Sequence, residues 1–173
     1  MRLDRSFYER DVLVVAPEII GKLLMRRVEN ELSAFVITEV EAYKGIEDMA
    51  SHARFGKTPR NAVMFEPGGI LYMYFIYGMY WMMNIVTGTA GDPQAILIRG
   101  VKGTEGPGRV TRLLSLDNSF NRENLAESER IWIEDQNFTP AIVQKPRFGI
   151  NYASEPWKSM PWRYIMVRPP QTI

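Results

Sequence analysis

Glu41, Tyr43, His52, Tyr74 and Asn84 lie within roughly forty residues of one another and together offer one carboxylate, three rings and one amide. A purine turned out of a base stack needs such a set. It requires aromatic walls for its faces, a polar group that reads its edge, and a base that activates water at C1′ of its sugar. Each residue also has a plain structural reading. Glu41 could be a solvated or salt-bridged strand residue, His52 a satisfied helix residue and Tyr74 ordinary core. Asn84 is harder to dismiss, because an amide on an apolar strand must hydrogen-bond to something.

These residues must be positioned by three segments. Lys22 to Val28 and Leu32 to Ala42 are strand-like runs around Glu29-Asn30-Glu31. Alternation along the second places Phe35, Ile37, Glu39 and Glu41 on one side. Two carboxylates then share a face with apolar neighbours, which costs free energy unless something satisfies or uses them. A short helix carries His52, and Thr58-Pro59 predicts a second one over Arg60 to Phe65. The third segment, Gly69 to Val86, crowds six aromatic side chains into eighteen residues. Ile70 to Ile76 and Met79 to Val86 predict a hairpin turning at Tyr77-Gly78. A two-residue turn would force φ > 0 on Tyr77, so a three-residue turn with Gly78 in the left-handed position is the cheaper geometry. Tyr77 is then near the tip. One reading buries both faces and folds Tyr77 back; the other makes a wedge and stacking platform for nucleobases. Four Tyr, the mid-run Gly78 and Asn84 within so short a run argue against a membrane span.

The remaining chain is consistent with one compact unit over 1–173. Its 46% hydrophobic and 24% charged content argues against disorder. Zero Cys excludes disulfides and thiolate metal sites, and a single His excludes a His-rich zinc site or a triad needing two imidazoles. The start MRLDRSFYERD lacks the apolar region of a signal peptide, so an intracellular protein is expected. Net charge is only +1, which implies modest nonspecific affinity for nucleic acid, yet His52 to Arg112 holds seven Lys/Arg against three Asp/Glu. Ser6-Phe-Tyr-Glu9 has capping-box spacing ahead of a packing helix over Asp11 to Ile20 that ends at Gly21. Ala95 to Arg99 predicts a buried strand. The loop Gly103 to Gly108 opens a helix over Arg109 to Leu116, whose free N–H groups, with Arg109 and Arg112, could hold a phosphate. Asn121 to Arg130 predicts a helix, and Ile131 to Glu134, Arg147 to Ile150 and Trp162 to Val167 predict strands.

Taken in order, Thr38-Glu-Val-Glu-Ala-Tyr43, Glu47-Asp48, Ser51-His52, Thr58-Pro-Arg-Asn61-Ala-Val-Met-Phe65, Pro67-Gly-Gly-Ile-Leu-Tyr-Met-Tyr-Phe-Ile-Tyr-Gly-Met-Tyr80 and Asn84 resemble the alkyladenine (3-methyladenine) DNA glycosylase family. The likeness continues through Ala95 to Arg99, Gly106-Pro-Gly-Arg109, Asn118-Ser-Phe120, Arg147-Phe-Gly-Ile150 and Pro161-Trp-Arg-Tyr164, and so covers nearly the whole chain. The resemblance implies a single α+β domain, a curved antiparallel sheet with surrounding helices and a protruding hairpin that enters the minor groove of double-stranded DNA. It implies no need for a metal or cofactor, and a monomer is the expectation for the chain. By the same pattern, Glu41 is the general base, and Tyr43, His52 and Tyr74 wall the purine pocket. Asn84 excludes the 2-amino group of guanine, Tyr77 replaces the extruded nucleotide and Met79 presses on a neighbouring base pair. Arg99 holds the extruded nucleotide's backbone or helps to position the water. The expected activity is monofunctional excision of alkylated purines (3-methyladenine, 7-methylguanine), extending to deaminated or etheno purines. The competing class is a non-catalytic damage-recognition protein, which would not need a carboxylate at position 41. A glycosylase/lyase would need an amine nucleophile, and Lys44 lies outside the family's catalytic pattern.

Overall fold

The computed structural model describes residues 1–167. Its architecture is α+β: an antiparallel sheet in the order β3-β4-β5-β2-β1-β7, with short helices packed on it. These strands are β1 (Leu23–Val28), β2 (Glu31–Lys44), β3 (Leu71–Ile76), β4 (Tyr80–Thr87), β5 (Gln94–Val101) and β7 (Ile131–Glu134). The two-residue β6 (Thr104–Glu105) extends β5, while β8 (Ile142–Lys145) and β9 (Arg163–Met166) join through β2.

β2 is the spine. Its first half pairs with β1, its second with β5 and β9, and register shifts near Ile37 to Val40 separate the two. Such a bulge reverses the alternation of side chains along the strand. Ile37, Val40 and Ala42 therefore enter the main core together, whereas Glu39 and Glu41 both reach Arg99 on β5. The expected placement of Ile37 beside Glu39 and Glu41 is corrected: simple alternation carries no account of the extra residue.

Helix α1 (Arg5–Tyr8) precedes α2 (Val12–Ile19), which packs against β2 and β5. Val12, Val15, Ala16 and Ile19 are buried, as i, i+3, i+4, i+7 spacing dictates, and the Asp11 carboxylate accepts from the Leu13 N–H at 2.9 Å as N-cap. Asp4, rather than Ser6, caps α1; Ser6 instead donates its hydroxyl to Asp4 at 2.6 Å. The expected second short helix is a 3-10 turn over Ala62–Phe65. Before it, Thr58 and Asn61 exchange backbone-to-side-chain hydrogen bonds, so Arg60 stays outside the turn.

Two further expectations are corrected. Asn121 to Arg130 is not helical, because its backbone groups follow the edge of β3 instead: Leu71 N–H donates to Glu123 O, Arg122 N–H to Leu71 O and Leu125 N–H to Gly69 O. A segment so placed covers an otherwise open strand edge. Arg147 to Ile150 is a loop, since Arg147 turns inward and the Phe148 N–H is used by a side chain rather than a ladder.

The hairpin β3–β4 is carried on β5 and backed by α3 (Pro107–Leu113). Thr111 donates its hydroxyl to Trp81 O at 2.8 Å, and a Cβ at Gly108 would stand 2.6 Å from the Tyr80 ring, so only glycine permits this approach. Leu71, Tyr72 and Met73 are buried, but the far end emerges. No helix among the described residues is long and apolar enough to cross a membrane.

Candidate active site

β2, β3, β4 and β5, the turn His52–Phe55 and the loop 147–152 surround a cavity of about 310 Å³. Glu41, Tyr43, His52, Tyr74, Asn84 and Arg99 all line it, and Tyr77 stands at its border. Residues scattered in the sequence thus meet because adjacent antiparallel strands bring Glu41 opposite Leu97 and Leu97 opposite Asn84.

Glu41 has no exposed surface of its own. Its Oε1 accepts from the Phe148 N–H at 2.6 Å and lies 3.5 Å from Arg99 Nε, while its Oε2 accepts from the Tyr43 hydroxyl at 2.8 Å. Burial pushes this carboxyl above its usual 4.5, and Arg99, the Phe148 N–H and Tyr43 oppose the shift. A carboxylate raised in this way is the better proton acceptor. Tyr43 is buried in turn, so its hydroxyl stays protonated and donating.

The far wall is aromatic. The His52 and Tyr74 rings are 4.4 Å apart between centroids, and those of Tyr72 and Tyr74 are 5.3 Å apart. Burial, reinforced by Arg60 and Arg54, lowers His52 to about 4, so the imidazole is neutral at physiological pH. Its Nδ1 is 3.2 Å from the Tyr72 hydroxyl. A neutral ring with one donor and one acceptor nitrogen can stack on a base without repelling a cationic one. The buried Asn84 satisfies its amide by donating to Tyr72 O at 3.2 Å, which fixes the side chain against the cavity.

At the hairpin tip Tyr77 is 86% exposed and Met79 57%. The loop has the expected three residues, for Ile76 pairs with Tyr80 and the Met79 N–H donates to Ile76 O at 3.1 Å. The backbone expectation is corrected: Tyr77 and Gly78 both take positive φ, 52° and 63°. A tyrosine there costs about 1–2 kcal/mol, and it holds the ring out in solvent. The reading in which Tyr77 folds back is therefore set aside. Arg109 does not line this cavity. It borders a separate cleft with Thr38, Glu39 and Glu105, at the start of a helix only seven residues long.

Sequence reasoning assigned no role to several residues that the site uses. Tyr72 and Tyr152 line the cavity, and Phe148 supplies both an N–H for Glu41 and an exposed ring at the rim. Behind them Arg147 pairs bidentately with Asp48, at 2.6 and 2.9 Å, and its guanidinium lies between the Tyr43 and Trp162 rings at 4.8 and 5.1 Å. Asn61 donates to His52 O at 3.0 Å. The motifs containing these residues were visible, but nothing in their spacing distinguished a residue that lines the cavity from one that supports it.

The chain is similar to known proteins over most of its length. The family model described as Methylpurine-DNA glycosylase (MPG) matches residues 6–105 and 102–170. A protein of Desulfitobacterium hafniense is 38% identical over 193 residues, covering 95% of this chain and 95% of its own. One from Anaeromyxobacter dehalogenans is 40% identical over 174 residues, covering 96% and 84%, and one from Wolbachia pipientis wMel is 42% identical over 175 residues, covering 96% and 92%. Each carries the name "Putative 3-methyladenine DNA glycosylase". Since the matched residues include the sheet's long central strand and the whole lining of the cavity, this chain belongs to the methylpurine-DNA glycosylase family.

Proposed function

We propose that this enzyme excises 3-methyladenine and related damaged purines from double-stranded DNA by hydrolysis of the N-glycosyl bond. Its range extends to 7-methylguanine and to deaminated or etheno purines. The observation that carries the reading is a buried carboxylate facing an aromatic cavity beside an exposed, strained tyrosine. A volume of about 310 Å³ is at the small end for ligand cavities, roughly 300–1,000 Å³, and suits a single base.

In the proposed reaction Tyr77 occupies the gap left by the extruded nucleotide, with Met79 against the neighbouring pair from the minor-groove side. The base enters among Tyr43, His52 and Tyr74. Glu41 takes a proton from water as the oxygen adds to C1′, the glycosyl bond breaks, and its electron pair leaves with the purine. A cationic 3-alkyladenine departs as a neutral base without further help, whereas a neutral purine takes up a proton as it leaves. Arg99 faces the extruded nucleotide's backbone and the water. The protein works as a monomer in the compartment that holds the DNA.

Duplexes each carrying one defined lesion test the reading directly. The expected product is an abasic site, with strand cleavage only after added alkali; cleavage without alkali would indicate a lyase, and intact DNA would remove the proposal. Tyr77→Ser should slow excision from fully paired duplexes by an amount reflecting a few kcal/mol of unstacking, and much less from mismatched or single-stranded substrates. Equal loss on every substrate would make Tyr77 structural only.

Asn84 tests base selection. A fixed side chain excludes an extra amino group better than an apolar wall does. Asn84→Ala should raise release of guanine or 7-methylguanine relative to adenine-derived lesions, measured as a ratio of single-turnover rates with circular dichroism unchanged. If both rates fall together, Asn84 supports the strand instead.

A further inference from the structure

Glu39 has no part in the reaction as proposed, yet it touches a cation that stands 3.5 Å from its base. Its Oε1 accepts from Arg99 Nε at 3.2 Å and from Arg163 Nη1 at 3.2 Å, and all three side chains are largely buried, at 15–16% exposure. Arg99 Nε is also 3.5 Å from Glu41 Oε1. The bulge in β2 allows this, because it turns Glu39 and Glu41 to the side of the strand where Arg99 lies. Phe148 completes the group, its ring 5.1 Å from the Arg99 guanidinium and 4.5 Å from that of Arg163.

One guanidinium between two carboxylates divides its attraction. A fully formed charge-assisted pair closes to about 2.7–2.9 Å, so the 3.5 Å contact to Glu41 is a loose one and the nearer partner is Glu39. A carboxylate bound closely by a cation gives up much of its ability to accept a proton. Engagement of Nε, the nitrogen nearest the chain, also leaves the outer end of Arg99 for what enters the cavity. We infer that Glu39 is a positioning residue for the reaction proposed above: together with Arg163 it holds Arg99 off a close pairing with Glu41, so that Glu41 stays free to take a proton from water.

Besides Arg99, the groups facing Glu41 are Tyr43 on its own strand, Arg147 and the Phe148 N–H from the loop, and the Tyr74 and Tyr152 hydroxyls. Arg99 is the strongest of those that oppose burial. Its share between Glu39 and Glu41 therefore acts directly on the acid limb of the pH profile.

The inference rests on Glu41 being the base, and the test separates the two. Single-turnover excision of hypoxanthine from a duplex is measured across the acid limb for the wild type, Glu41→Gln, Glu39→Gln and Arg163→Gln, each checked by circular dichroism. Glu39→Gln frees Arg99 to close on Glu41, so the acid limb should move to lower pH while the plateau rate falls between about tenfold and a hundredfold. Arg163→Gln leaves Glu39 to draw wholly on Arg99, so its acid limb should move to higher pH. Limbs that stay in place, or that move in the same direction in both variants, overturn the role of Glu39 whatever the plateau rates. A wild type that excises neither hypoxanthine nor 3-methyladenine, or survival of excision in Glu41→Gln, overturns the functional reading on which the inference stands.

Discussion

Glu41→Gln is expected to lower single-turnover excision by about 10²- to 10⁴-fold while binding to a duplex carrying an abasic-site analogue persists. The substitution keeps the shape: a glutamine Oε1 can still accept from the Phe148 N–H, and the Tyr43 hydroxyl can turn to accept from the new amide. It removes only the ability to take a proton from water. The variant should also melt at a higher temperature than the wild type at neutral pH. Burial raises the folded-state carboxyl above its unfolded value near 4.5, so the folded state prefers the proton, and ionisation at neutral pH costs stability. That cost is absent from the glutamine, and the difference in melting temperature should shrink as pH falls toward 4.5. Wild-type excision of neutral purines should decline over an acid limb lying above the ordinary glutamate range, as the carboxyl takes up its proton. Excision by Glu41→Gln at near wild-type rate would refute the assignment. A drop in rate together with a drop in melting temperature would mean that the carboxylate is chiefly structural.

What the sequence made legible follows from the range over which each signal acts. The hairpin was readable because β-branched and aromatic runs around a Gly-containing turn are local, and α2 because its apolar run and the Gly21 that follows it lie within a few residues, although its Asp11 cap was not read. The bulge in β2 was not readable, since an extra residue shows itself only against the partner strand. Asn121 to Arg130 had helix-forming composition, but tertiary hydrogen bonding to the β3 edge outweighed a propensity worth only a few tenths of a kcal/mol per residue. Tyr77 defeated the local steric argument at the one turn where the proposed reaction needs a projecting ring. Departures from local preference are expected at functional positions, where strain persists because the surroundings over-determine it. The cavity residues were legible one at a time. Their supports were not, because Asp48 and Arg147 are 99 residues apart and meet only when the sheet closes the loop onto β2.

That support carries the largest expected effect on stability. Both side chains of the Asp48–Arg147 pair are fully buried, and Asp48 also accepts from the N–H groups of Lys44 and Ala50, each at 3.0 Å. Arg147 Nη1 donates further to Ala42 O at 2.9 Å. The pair therefore ties the loop that leads to His52 and the loop that delivers the Phe148 N–H to the same strand as Glu41. Asp48→Ala would leave a guanidinium out of water without its counter-charge, at a cost of about 3–5 kcal/mol, or about 6–20 °C in melting temperature for a domain of this size. Arg147→Met in the Asp48→Ala background removes the stranded charge, and the double variant should recover most of the lost stability, because an apolar pair of suitable volume can replace a buried ion pair. Excision need not recover with it. The Phe148 N–H depends on the path that Arg147 imposes on the loop, so the restored double variant should remain slower than the wild type at saturating DNA. If Asp48→Ala costs under about 1 kcal/mol, the pair is not the anchor of these loops. If stability and excision return together in the double variant, the charge matters only for folding and not for holding Glu41.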